Sequence, residues 1–97
     1  MRFTVTWTPK ADADLAQRWL TLESEGQRHL SLCVDHIDAS LRQNAHQKGA
    51  VLRGHEPLRF YAAPSFFGRP PVGVVYEVSL DDRLVRVLEL WTLDDLV

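Results

Sequence analysis

Four arginines, two tyrosines and a histidine are the side chains here whose chemistry and placement suit work on a phosphate. Arg53, Arg59 and Arg69 lie in one segment, and Arg86 lies on a run that reads as a neighbouring strand. Gathered together, their guanidinium groups would bind a phosphate and stabilise the extra negative charge of a cleavage transition state. Tyr76 and Tyr61 would serve beside them as proton donors or as platforms for a stacked base. His55, close to Arg53, would act as a general base, because imidazole titrates near neutrality. Each residue also has a plainer role. Arg59 and Arg86 would pair with Glu77 and Glu89 across a sheet, at about 0.2–1 kcal/mol each. A tyrosine in an apolar strand packs with its hydroxyl at the rim, and a histidine before Glu56-Pro57 suits a surface loop.

Other chemistries find less support. His29, Cys33 and His36 share one face of a predicted helix, but the two histidines are about 10 Å apart along its axis, too far for one ion to hold all three. No metal site and no cofactor is expected. The chain lacks a glycine-rich phosphate loop, a GxSxG elbow and a His-Glu-x-x-His zinc motif. Cys33 is the single cysteine, so no internal disulfide forms, which agrees with a reducing compartment.

The totals describe one domain, residues 1–97, with a single core. No apolar run approaches the roughly 20 residues of a membrane-spanning helix, and Met1-Arg2-Phe3-Thr4-Val5 lacks a signal-peptide core. A cytoplasmic address is expected, with no membrane partner. The net charge of −2 is unevenly spread: residues 1–48 are neutral, residues 49–71 carry +2, and residues 72–97 carry −4. The middle segment is less basic than a dedicated phosphate-backbone binder requires.

These side chains must be positioned by a hairpin near the end of the chain. Val72–Ser79 and Leu84–Trp91, rich in β-branched and aromatic residues, flank the polar break Leu80-Asp81-Asp82-Arg83 and read as two antiparallel strands. Alternation puts Val74, Tyr76 and Val78 on one face of the first. It groups Leu84, Arg86, Leu88 and Leu90 against Val85, Val87, Glu89 and Trp91 on the second. A hairpin alone is marginal in water, so other elements must cover it. Phe3, Val5 and Trp7 alternate as a short strand that stops at Thr8-Pro9, an N-cap followed by a proline suited to the first helical position.

Ala11, Leu15, Trp19 and Leu22 then form the stripe of a helix over about 9–23. Gly26 would close that helix, and Ser24 with Gln27 would open the next as a capping box. Leu30, Val34, Ile37 and Leu41 mark a second helix over about 27–47, antiparallel to the first. After Gly49, Leu58–Ala63 reads as a strand bracketed by Pro57 and Pro64. The loop from Pro64 to Pro71 carries Phe66 and Phe67, which either fold onto the core or offer an apolar contact. The expected architecture is α+β, in the order β-α-α-β-β-β: an N-terminal strand, a helical hairpin, and a three-stranded antiparallel meander.

That order resembles the RelE/ParE, or plasmid stabilisation, toxins of type II toxin–antitoxin systems. The matching stretches are Val5-Thr6-Trp7-Thr8-Pro9-Lys10-Ala11-Asp12-Ala13-Asp14-Leu15, and Val74–Val78 with Asp82–Leu88. The resemblance spans nearly the whole chain. It implies a small cytoplasmic toxin, neutralised by a cognate antitoxin that wraps over the helices or the sheet, as a homodimer or a heterotetramer with that antitoxin.

Members of the family divide into ribosome-dependent mRNA cleavers and DNA gyrase poisons. The cleavers use basic side chains on the concave sheet face and a Tyr or His near the end of the last strand. They often carry an arginine three residues before the tyrosine matched by Tyr76, where this chain has Gly73. The last strand here runs through Leu90-Trp91 into Thr92-Leu93-Asp94-Asp95, an acidic end that would repel RNA phosphates. The expectation is therefore a growth inhibitor of the gyrase-poison type, with Arg53, Arg69, Phe66, Phe67 and Trp91 contacting target or partner. The alternatives are a ribosome-dependent endoribonuclease using Arg59, Arg86 and Tyr76, with His55 as another proton carrier, and a member that keeps only antitoxin binding.

Overall fold

A computed structural model gives the architecture and describes residues 1–92. The acidic end at Asp94 and Asp95 lies outside the described residues. Five strands, β1 (Thr4–Trp7), β2 (Ala50–Val51), β3 (Arg59–Ala62), β4 (Val72–Ser79) and β5 (Leu84–Thr92), form one sheet in the order β1-β5-β4-β3-β2. Two helices, α1 (Pro9–Leu20) and α2 (Ser24–Leu41), cover one face, α1 against β5 and α2 against β4. The fold is α+β as expected, and the β4–β5 hairpin falls where its residue types put it. The sheet is mixed, because β1 runs parallel to β5 while the other pairs are antiparallel. A strand separated from its neighbour by a helical crossover is free to lie parallel to it.

The helix boundaries follow from local chemistry. Thr8 caps α1, its hydroxyl accepting from Ala11 N at 3.3 Å, with Pro9 opening the helix. The cap of α2 is Glu23 rather than Ser24, and its carboxylate accepts from Gly26 N at 2.8 Å. Gly26 therefore sits inside the first turn of α2 instead of closing α1. A β-carbon there would lie 3.0 Å from the tip of the Arg69 side chain, which crosses this helix end. At its other end α2 stops at Leu41, short of Gln47. Residues 42–44 pair instead with the N-terminus: Phe3 N donates to Arg42 O, and Asn44 N donates to Met1 O. Asn44 takes a left-handed conformation (φ 54°) before a 3-10 turn over Ala45–Gln47. Asparagine tolerates that region better than most residues.

The core lies between helices and sheet, built from Leu30, Ile37 and Leu41 against Val74, Tyr76, Val85 and Val87, all at 0–1% exposure. Trp19, expected on the inward stripe of α1, is 38% exposed. The small Ala11 is the residue of α1 that is fully buried, and Asp14 accepts from Leu90 N at 3.4 Å, so the inward face of α1 is narrower and more polar than its periodicity suggests.

β5 departs from simple alternation. Val75 pairs with Glu89 but Tyr76 pairs with Val87, so Leu88 is an extra residue opposite that step. A bulge of this kind reverses the side-chain order beyond it. Leu90 consequently turns into the core with Val85 and Val87. Arg86, Glu89 and Trp91 line the sheet face away from the helices, which corrects the grouping of Leu90 with Arg86 and of Trp91 with Val87.

Candidate functional site: two sheet faces

Tyr76 and Arg59 are register partners on the helix-covered side of the sheet. Tyr76 is fully buried, and its hydroxyl donates to Ala45 O (3.0 Å) and Lys48 O (2.7 Å). Arg59 Nε donates to the same Lys48 carbonyl at 2.8 Å. Together they clamp the connection that leads from α2 into the sheet. Gly49, the next residue, has φ +64°, and a β-carbon on it would stand 2.1 Å from Phe60 O. Burial raises the Tyr76 pKa, with the Arg59 interaction opposing that shift. At neutral pH the phenol keeps its single proton, shared between the two carbonyls.

Arg86 points the other way and pairs with Glu77, its register partner, at 2.8 Å. The three residues expected to cleave RNA are thus not gathered: Tyr76 and Arg59 hold a chain connection on one side, and Arg86 is neutralised on the other. The remaining arginines are also dispersed. Arg53 is exposed in the β2–β3 connection, while Arg69 pairs with Glu23 at the start of α2. Tyr61 stacks on His36 and hydrogen-bonds it at 3.0 Å.

The uncovered sheet face carries an apolar groove beside the Arg86–Glu77 pair. Leu52, Leu58, Phe60, Val75 and Trp91 line this groove of about 300 Å³, with Glu89 at its edge and His55 beside it. Trp91 Nε1 donates to Glu89 at 2.9 Å. The ring of Phe60 lies over Gly73, where a β-carbon would come within 2.4 Å of Cζ. Glycine here is a packing requirement: any side chain at position 73 must displace that ring. Gly73→Arg is therefore expected to destabilise the protein by about 1–3 kcal/mol through overpacking. The penalty should shrink in a Phe60→Ala background, and urea unfolding of the four proteins in this cycle measures the coupling.

The loop over residues 64–71 is strapped across α2. His29, 5% exposed, donates from Nε2 to Pro70 O at 3.0 Å, and Phe66 packs its ring edge-on against His29. Phe67 turns outward, 48% exposed, with the Arg28 guanidinium 5.5 Å from its ring centre. The two aromatics therefore split between the roles the sequence left open. Cys33 is buried beside His29, and burial pushes its thiol pKa up, which removes it as a nucleophile. Sequence reasoning missed the clamp at Lys48 and the bulge at Leu88. Signals for the clamp were present in Gly49 and in Tyr76, which shares a strand face with Val74 and Val78.

No protein-family model matches the chain, and no curated protein matches it. Solved structures do. A chain of the RelBE2 toxin–antitoxin complex from Mycobacterium tuberculosis superposes with a TM-score of 0.67 at 22% identity, covering 95% of this chain and 92% of that one. A chain of the chromosomal ParDE system from P. aeruginosa gives 0.62 at 21% identity, covering 94% and 96%. A free arginine-to-alanine mutant of the E. coli toxin RelE gives 0.61 at 14% identity, covering 93% and 82%. The expected architecture is thereby met over nearly the whole length: the chain has the fold of the RelE/ParE toxins.

Proposed function

We propose that this protein is the toxin of a type II toxin–antitoxin module. In this reading it inhibits growth by binding a macromolecular target, of the DNA gyrase type rather than by cutting mRNA on the ribosome, and a cognate antitoxin neutralises it. The carrying observation is the separation of the cationic and phenolic groups. Arg59 and Tyr76 hold the Lys48 carbonyl on the helix side, while Arg86 is tied to Glu77 on the other. A phosphodiester laid in the groove of the uncovered face would meet Phe60, Val75 and Trp91 with Glu89 at their edge. That surface suits a protein target, because apolar and aromatic groups dominate contact cores while carboxylates repel phosphate.

The fold likeness to RelE and to chains of RelBE2 and ParDE supports the toxin reading at its coarser level. Induction of the chain alone is expected to arrest growth and alter plasmid supercoiling while total RNA shows no new 5′ ends. New ends confined to translated messages would overturn the target choice in favour of RNA cleavage. Continued growth with neither change would leave a protein that retains only antitoxin binding.

A further inference from the structure

The fold assembles a basic surface from residues distant in sequence. Arg2, Arg42 and Arg83, all exposed, converge on a groove of about 420 Å³ whose other walls are Phe3, Thr4 and Val5. Arg2 precedes β1, Arg42 is the C-cap of α2, and Arg83 closes the turn between β4 and β5, so three parts of the fold each bring one guanidinium. Arg42 is held by Asp38 at 2.7 Å, whereas Arg2 and Arg83 have no ion pair among the described residues. The N-terminal ammonium, bonded to Asn44 Oδ1 at 2.7 Å, adds positive charge next to Arg2. Asp82, next to Arg83, bonds Ser79. The chain as a whole has a net charge of −2, so this concentration of cations runs against its average.

Arg83 is held in its place against local preference. Its φ is 53°, in the left-handed region, at the last position of the turn Leu80-Asp81-Asp82-Arg83. Glycine takes that conformation freely and asparagine tolerates it, whereas a long side chain gains nothing from it locally. Two hydrogen bonds fasten the residue there. Its N–H donates to Leu80 O at 3.4 Å, and its carbonyl accepts from Thr4 N at 2.9 Å, which ties the turn to β1. Backbone strain that holds a cation without an ion pair over a groove points to a ligand for that cation.

The chemistry of the walls narrows the ligand. Guanidinium forks match phosphate oxygens, and a threonine hydroxyl such as that of Thr4 adds to such contacts. The aromatic residue of the groove, Phe3, is only 6% exposed and offers no face to a base. Binders of single strands rely on exposed aromatic platforms, so cations without platforms suit a backbone whose bases are already stacked inside. We infer that the Arg2–Arg42–Arg83 groove binds the phosphate backbone of a nucleic-acid duplex without reading its sequence. The site itself does not depend on what the protein inhibits. Under the reading proposed above, on which only this identification rests, the duplex is the DNA held by a target of the gyrase type, gripped here while the groove at Phe60 and Trp91 meets the target protein.

The test uses the full ¹⁵N-labelled chain with two DNA duplexes of unrelated sequence, a single-stranded RNA and inorganic phosphate. Both duplexes are expected to bind alike and to shift the amides of Arg2, Thr4 and Arg83. The logarithm of the binding constant should fall against the logarithm of salt concentration with a slope of about −3, as counterion release from three to four phosphates requires. Arg2→Glu with Arg83→Glu should weaken binding about tenfold or more, by setting like charge against phosphate. Arg28→Glu with Arg53→Glu changes the net charge equally, but from the start of α2 and from the connection after β2 at the opposite sheet edge. Its effect should stay below about threefold, because charges beyond a Debye length are screened. Arg83→Gly removes one cation and the left-handed strain together, so it should weaken binding at an unchanged or higher Tm, which separates loss of the site from loss of the fold. Equal weakening by the two double variants would overturn the site, since net charge alone would then explain binding. Tighter binding of the RNA strand, or amide shifts with inorganic phosphate but none with the duplexes, would overturn the choice of a duplex. Absence of shifts with every probe would dismiss the groove as a phosphate site. A growth effect on induction bears on the toxin reading and leaves these results untouched.

Discussion

Tyr76→Ala is expected to destabilise the protein by about 3–5 kcal/mol, the range for removing a buried aromatic side chain. Against a total of about 5–15 kcal/mol for a domain of ordinary stability, that is a large fraction. For a chain of this length it lowers Tm by about 12 °C or more. Tyr76→Phe separates packing from hydrogen bonding. The two carbonyls that lose the phenol each keep another donor, Lys48 N on Ala45 O and Arg59 Nε on Lys48 O. The expected cost of the phenylalanine variant is therefore only about 1–1.5 kcal/mol.

Tyr76 also has a pH signature. Its folded pKa is raised by burial, so the folded state holds its proton more tightly than the unfolded chain does. The resulting stability is complete below the unfolded tyrosine pKa, about 10, and is lost as pH rises from there through the folded value. The gap between the native protein and Tyr76→Phe should narrow above about pH 10, as urea unfolding across the alkaline range would show. If Tyr76 is the structural clamp described here, any toxicity of Tyr76→Phe follows its folded fraction. Lost toxicity in a fully folded variant would return Tyr76 to a part in proton transfer.

What the sequence disclosed was what repeats. The strands Val72–Ser79 and Leu84–Thr92 announce themselves by β-branched runs around a polar turn, and α1 opens at Thr8-Pro9 because caps are short-range chemistry. What stayed hidden depends on a residue count or a distant partner. One extra residue at Leu88 exchanges the faces of Leu90 and Trp91, and alternation carries no mark of it. The end expected of α2, residues 42–47, is lost where residues 42–44 pair with the N-terminus, a pairing between positions about forty apart. For the same reason the cationic residues adjacent in sequence, Arg53, Arg59 and Arg69, are dispersed, whereas Arg2, Arg42 and Arg83 meet in space. Charge counted along segments placed the basic surface in the middle of the chain, and the sheet topology adds a different one at the edge of β1.

Gly49→Ala should be the most costly small substitution at the junction between the helical layer and the sheet. Two separate penalties apply. A left-handed φ of +64° costs an L-residue about 1–2 kcal/mol. The added methyl would also stand 2.1 Å from the backbone carbonyl oxygen of Phe60, the residue paired with Ala50 across β2 and β3. A side-chain neighbour would rotate aside, but a carbonyl in a strand ladder moves only with the strand, which adds about 1–3 kcal/mol of overpacking. The sum, about 2–5 kcal/mol, exceeds what Gly54→Ala should cost: Gly54 has φ +80° but nothing within 4 Å of its β-carbon, so only the conformational part applies. Urea unfolding of the two variants separates the contributions, since their difference is the steric share alone. Amide exchange locates the damage. In Gly49→Ala protection should fall first along β2 and β3, where Arg59 and Tyr76 hold the Lys48 carbonyl, and remain in β4 and β5. Equal losses in the two alanine variants would mean that Phe60 can give way, and that the Lys48 clamp is looser than its three hydrogen bonds imply.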